Sequence, residues 1–289
     1  MNASRILLFQ LVLAVAAAGA PRSADQQAAV ELYAARQDAE ARTLFARLAA
    51  KEPADAEAHH YLGQLALRAE DHAAARLHHE KAVSLAPANS LYHLRLGDAY
   101  LLTGEKSGMF SMSGWLKKCK ASYDQALALD PANIDARASL LEYYQDVPGF
   151  MGGGMEHAYA QADAITKLDS ARGRTARAGV LVADKKYSEA FALYDAVLAD
   201  APADYRALYG SGRLAAITGQ RVTDGIRRLN QCLALPAPEN SAGLAALQWR
   251  LGMLHEKNGD KAAARVAYEG ALKADPKFDR AKKALRALN

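Results

Sequence analysis

Six of the eight histidines in this 289-residue chain fall between residues 59 and 93: His59, His60, His72, His78, His79 and His93. A zinc site needs three or four such ligands, or thiolates, converging on one point. The spacing argues against one here. His59/His60 and His78/His79 are adjacent in sequence, and adjacent residues on a helix do not face one another. No His-x-x-x-His pair shares a face and no cysteine is a neighbour, so the expected metal and cofactor are none.

A second candidate is PGFMGGG, residues 148–154, which runs straight into the helical spacing of MEHAYAQADAI. Glycines opening a helix can cradle phosphate, but that chemistry wants a strand before the loop and a Gly-Lys-Ser/Thr ending. Neither is present, and Glu156 would set a carboxylate beside the anion. The loop reads as a widened turn, with Pro148 stopping one helix and the glycines relaxing the backbone. Gly-x-Ser-x-Gly, His-Glu-x-x-His and Walker patterns are missing, and the acidic residues spread over helix surfaces, so no enzyme activity is expected.

The totals are those of a folded chain, 51% hydrophobic with a formal charge of +4, too small an excess for a nucleic-acid footprint. MNASRILLFQLVLAVAAAGA carries Arg5, an apolar run and an Ala16-x-Ala18 pattern, which predicts a signal peptide over 1–18. A cut at Ala20 would leave Pro21 behind it. The run is short for a span of roughly twenty residues, so an uncleaved membrane anchor is the lesser alternative. No later stretch could cross a membrane. The basic excess sits in 277–289, where Lys277, Arg280, Lys282, Lys283 and Arg286 face only Asp279.

The elements that must position any site come from a period. Pro53 and Pro87 are 34 residues apart, and Pro131, Pro202 and Pro276 likewise close apolar helical runs. Before Pro87 stand Leu62-Gly63, Ala66, Ala75, His79 and Ala82. Before Pro276 stand Leu251-Gly252, His255, Ala264, Tyr268 and Ala271. Leu96-Gly97, Tyr100, Tyr123 and Ala126 precede Pro131, and Ala178, Leu181, Ala190 and Tyr194 precede Pro202. At these positions the chain resembles the tetratricopeptide-repeat family, over nearly all of residues 22–289.

The resemblance implies an all-α, right-handed α-solenoid of about seven helix pairs, near 22–55, 56–89, 90–133, 134–170, 171–204, 205–243 and 244–276, with a capping helix over 277–289. Small residues let paired helices approach, and stacked pairs bury a core that one pair could not. His59, His79 and His93 then fall where the repeat carries a large aromatic, which predicts buried, hydrogen-bonded imidazoles. Cys119 and Cys232 sit three units apart, too far for a disulfide, and read as buried small apolar groups.

Two adjacent units are long. Pro87 to Pro131 spans 44 residues, with the excess at KSGMFSMSGW (106–115). Pro131 to Ser170 spans 39, with the excess in PGFMGGG. Both are expected to be enlarged turns on one edge, offering Met109, Phe110, Met112, Trp115, Phe150 and Met151 as an apolar lip for a partner. PAPENSAG (236–243) is expected to be a linker.

In the family, ligands lie along the concave face. Carried onto this chain, that implies a partner-binding groove at His60 and Gln64, Leu94 and Asp98, Ala138 and Glu142, Thr175 and Gly179, Tyr209 and Arg213, and Trp249 and Met253. It would be acidic in the middle (Asp98, Glu142, Asp146) and basic further on (Arg206, Arg213). The lysine and asparagine of the family's carboxylate clamp are missing. The sequence thus predicts an exported, periplasmic, non-catalytic scaffold for protein or peptide partners. The rivals are a histidine-rich metal-binding module and a membrane-held assembly factor.

Overall fold

A computed structural model describes residues 22–238 and 243–288, and for Met109 and Phe110 the backbone only. The expected signal segment and residues 239–242 of the expected linker lie outside the described residues.

The polypeptide is built from helices started and stopped by a recurring device. Asp55, Asn89, Asn133, Asp169 and Asp204 each stand at a helix N-cap, and each side chain accepts the backbone N–H three residues on. Such a cap satisfies a donor the helix cannot, worth about 1 kcal/mol. Four of the five lie two residues after a proline that cannot continue the preceding helix.

Contacts divide the chain after Leu85. The first unit holds α1 (Ala24–Ala34), α2 (Asp38–Lys51), α3 (Ala56–Arg68) and α4 (His72–Leu85). Phe45, Leu48, Leu62 and Leu65 form its core, with the Phe45 ring stacked on Tyr61.

The second unit holds α5 (Ser90–Lys106), α6 (Met109–Leu129), α7 (Ile134–Asp146), α8 (Met155–Leu168), α9 (Ser170–Ala183), α10 (Tyr187–Asp200), α11 (Tyr205–Thr218), α12 (Val222–Leu233), α13 (Leu244–Lys257), α14 (Lys261–Ala274) and α15 (Asp279–Leu288). Among the described residues there is no strand. The fold class is all-α, a helical-repeat solenoid.

Within a pair, a glycine of the first helix receives a ring of the second. A Cβ built on Gly63 would meet the His79 imidazole at 2.6 Å, on Gly97 the Tyr123 ring at 2.4 Å, and on Gly252 the Tyr268 ring at 2.4 Å. The three rings are buried, each filling volume that only the missing side chain leaves open. His79 thus occupies the aromatic position as expected. His59 and His93 do not, because each is half-exposed in the first turn of its helix, where neither ring fills the space over a glycine.

Short turns inside the pairs use left-handed residues: Arg36, Glu70, Lys185 and Gly259 all have φ between 59° and 80°. The third pair corrects the sequence reading. Residues 106–115 are no enlarged turn, since only Ser107 and Gly108 break the helices. The extra residues lengthen α5 to 17 and α6 to 21 residues. Trp115 closes on α5, its Cβ 3.1 Å from where a Gly104 Cβ would stand and its ring 5.8 Å from Tyr100.

The fourth pair does carry a long connection. A 3-10 turn at Gly149–Met151 folds back so that Gly154 N–H donates to Tyr144 O at 2.8 Å. Gly153 lies so close to Val147 that an added Cβ would meet its carbonyl oxygen at 1.6 Å. This glycine stretch is packed structure.

Candidate functional site

The first helices of the four pairs between α5 and α12 present one stripe each to a shared cavity of about 690 Å³. Asp98 and Arg95 come from α5, Asp135, Ala138, Glu142 and Asp146 from α7, Arg172, Thr175 and Gly179 from α9, and Arg206 and Arg213 from α11. Residues three and four apart share a helix face, so 135, 138, 142 and 146 necessarily line up.

Charge is unevenly settled here. Arg172 pairs with Asp135 at 2.6 Å and Arg95 with Asp98 at 3.1 Å. Asp98 also accepts the Tyr123 hydroxyl at 2.9 Å, which ties the cavity wall to the core ring over Gly97. Burial nonetheless holds the Asp98 carboxyl above the ordinary range, against the Arg95 charge and both hydrogen bonds. Glu142 is raised too, by burial first and then by Asp146 and Asp98, with Arg213 opposing. Among the described residues, Glu142, Asp146, Arg206 and Arg213 make no ion pair. The cavity therefore offers two unpaired carboxylates on α7 and two unpaired guanidinium groups on α11.

Of the residues expected to line the groove, the structure brings Asp98, Ala138, Glu142, Asp146, Thr175, Gly179, Arg206 and Arg213 together. Leu94 is core, at 1% exposure, and Arg95 takes its place at the wall. His60 is buried against His79 and Tyr61 and is no groove residue. Gln64 is half-buried on α3 in the first unit. Tyr209, Trp249 and Met253 lie outside this cavity. Met253 packs into the core, Tyr209 stacks on Tyr205, and Trp249 meets Phe278 edge-on at 6.0 Å. Asp135, Ser139, Gln145 and Arg172 also line the wall and follow from the same stripe read one turn further.

The expected lip divides. Phe150 is 90% exposed at the turn tip. Met112 and Met151 pack against the core, and Met151 O accepts the Tyr143 hydroxyl at 3.3 Å. Trp115 is half-buried beneath Lys118, whose Nζ lies 4.7 Å from its ring centre. Met109 and Phe110 open α6, with side chains outside the description.

The histidines meet in a way adjacency hid. His59 Nδ1 lies 3.2 Å from His78 Nδ1, across α3 and α4. Burial lowers both, with Lys81 acting on His59 and His59 itself on His78. No group of three or more potential ligands surrounds a point among the described residues. Cys119 and Cys232 are free and buried, and burial pushes each thiol up to about 12.

Residues 245–278 match the family described as tetratricopeptide repeat, over α13, α14 and the turn that follows. This segment is a tetratricopeptide repeat. The fold of the chain is similar throughout to that of other solved repeat proteins. A tetratricopeptide repeat protein from Parabacteroides merdae is 16% identical with a TM-score of 0.65, covering 91% of this chain and 96% of its own. Tom70 of yeast is 15% identical with a TM-score of 0.61, and this chain spans about half of it, 88% of this chain matching 51% of that one. PilW, a type IV pilus biogenesis factor, is 16% identical with a TM-score of 0.51, over 80% of this chain and 98% of its own. At such identities the likeness concerns the fold. No curated protein is similar enough in sequence to match. Among the described residues no helix is long and apolar enough to cross a membrane.

Proposed function

We propose that this protein is a non-catalytic scaffold that binds an extended peptide segment of a partner in the cavity lined by α5, α7, α9 and α11. The observation that carries this reading is the set of unpaired charges there. Glu142 and Asp146 on α7, and Arg206 and Arg213 on α11, line one cavity of about 690 Å³ without satisfying one another. A cavity of that size suits a few side chains of an extended segment. Unpaired charges of both signs give orientation and specificity more than raw affinity.

Panning a random peptide library on the protein tests this. Selected peptides should lose binding at least tenfold to the Glu142→Lys/Asp146→Lys protein, whose helix content should be unchanged. Peptides that ignore that double variant would place binding elsewhere, with the exposed Phe150 turn the next surface to change.

Export to the cell envelope belongs to the same proposal. Arg5, the apolar run behind it and the Ala16-x-Ala18 pattern support it. Mass spectrometry of the protein from cells should give a chain beginning at Gly19 or Pro21. An intact Met1 would support the membrane-held alternative.

A further inference from the structure

At one end of the cavity, two arginines lie over aromatic rings and a third stands within electrostatic reach of them. Arg250 of α13 lies with Cζ 5.3 Å from the Tyr209 ring centre and 5.4 Å from that of Trp249. Arg280 of α15 approaches Trp249 as well, at 5.2 Å. Arg213 of α11 is near enough that its charge acts on Arg250.

The arginines nearby behave differently. Arg172, Arg174, Arg177, Arg221 and Arg228 each hold a carboxylate within 3 Å. Among the described residues, Arg213, Arg250 and Arg280 hold none. The one hydrogen bond from Arg250 goes to the Ala246 carbonyl at 3.1 Å. Burial opposes the charge on Arg250, and Arg213 and Arg280 add repulsion with only the Tyr209 phenol against them. A half-buried guanidinium flanked by two like charges and backed by aromatic faces is a cation set waiting for an anion.

We propose that Arg213, Arg250 and Arg280, with Tyr209 and Trp249 between them, bind a short acidic stretch of the partner peptide. The proposal rests on the cavity being a peptide site and names the chemistry of what enters it. Arg213 belongs to both places, since it also lines the cavity opposite Glu142 and Asp146. That neighbourhood selects the class of partner. A continuous polyanion such as nucleic acid or an anionic membrane surface would run from the arginines into two unpaired carboxylates. A peptide with two or three acidic residues followed by a basic one satisfies both sets.

Trp249 supplies the reporter. The chain has two tryptophans, so a Trp115→Phe protein reads Trp249 alone. Four peptides of equal length would be titrated into it: one with an acidic block followed by lysines, its reverse, a basic one and a neutral one. A single-stranded oligonucleotide and phosphatidylglycerol vesicles complete the set. One of the two mixed-charge peptides should change Trp249 fluorescence and bind at least tenfold tighter than the neutral one. Arg250→Gln/Arg280→Gln should remove that margin, Arg280→Gln alone should reduce it, and Arg286→Gln should leave it. Neutral or basic peptides that bind as tightly, with Trp249 silent, would overturn the arginine site and leave the cavity reading standing. No binding by any peptide would sink both. Tighter binding of the oligonucleotide or the vesicles, lost in the double arginine variant, would overturn the peptide as occupant.

Discussion

The hydroxyl of Tyr123 donates to Asp98 at 2.9 Å while its ring fills the space over Gly97, where a Cβ would stand 2.4 Å away. One side chain therefore sets both the spacing of α5 and α6 and the orientation of a cavity-wall carboxylate. Packing and site are coupled at this point.

The coupling makes the glycines unequal. Gly97→Ala and Gly252→Ala must push a buried tyrosine ring aside, and should each cost about 1–3 kcal/mol. Gly179, on the cavity wall of α9, has nothing within 4 Å of its added Cβ. Gly179→Ala should stabilise by about 0.5–1 kcal/mol through helix propensity. Urea unfolding of the three variants checks the order; a destabilised Gly179→Ala would mean that α9 is not helical there.

Glu142 predicts a pH dependence. Its folded-state pKa is raised, so the folded chain holds this proton more tightly than the unfolded one. Ionising Glu142 therefore costs stability above the ordinary carboxylate range, and that cost disappears as the pH falls below it. Glu142→Gln should raise the Tm at pH 7 and have no effect at pH 3.5. An equal gain at both pH values would show that the carboxylate charge is not responsible.

Arg228 is the buried counterpart. It is 6% exposed, bonds Ser211, and reaches Asp195 at 2.5 Å. Replacing it with alanine leaves a half-buried carboxylate and a buried hydroxyl short of a donor, at a cost of about 2 kcal/mol. Although burial pulls the other way, hydrogen bonds from Arg221 and Arg228 hold Asp195 below the ordinary range. Their stabilisation is present at neutral pH and is lost on acidification, so the Arg228→Ala deficit should shrink towards pH 3. A constant deficit would assign it to packing alone.

The 148–154 turn separates into a rigid half and an exposed tip. Gly153→Ala places a methyl against the Val147 carbonyl and should destabilise by about 2 kcal/mol. Phe150→Ala should change stability by less than about 0.5 kcal/mol, as an uncovered side chain does. If Phe150→Ala proves as harmful as Gly153→Ala, the phenyl ring is covered in solution.

The helices and the small residues that let them approach were legible because they recur with the period. So was the cavity wall, because positions three and four apart share a face. The form of the third unit was not. Glycine and serine in KSGMFSMSGW signal a turn locally, yet Met112, Trp115, Leu116 and Cys119 continue a helical stripe, and packing on α5 overrides the local preference. Contacts between helices also stayed hidden. His59 and His78 are 19 residues apart, and Arg213, Arg250 and Arg280 span two pairs and the last helix, so neither grouping shows in any one helix.

The account stands on partner segments entering the cavity between α5 and α11. Amide chemical shifts of the labelled protein, titrated with a peptide selected from the library, test that most directly. Shifts are expected at Ala138, Thr175, Gly179 and Arg213, with Val266 on the exposed face of α14 unmoved. Shifts confined to Val266 or to the turn around Phe150, with those four amides still, would contradict it.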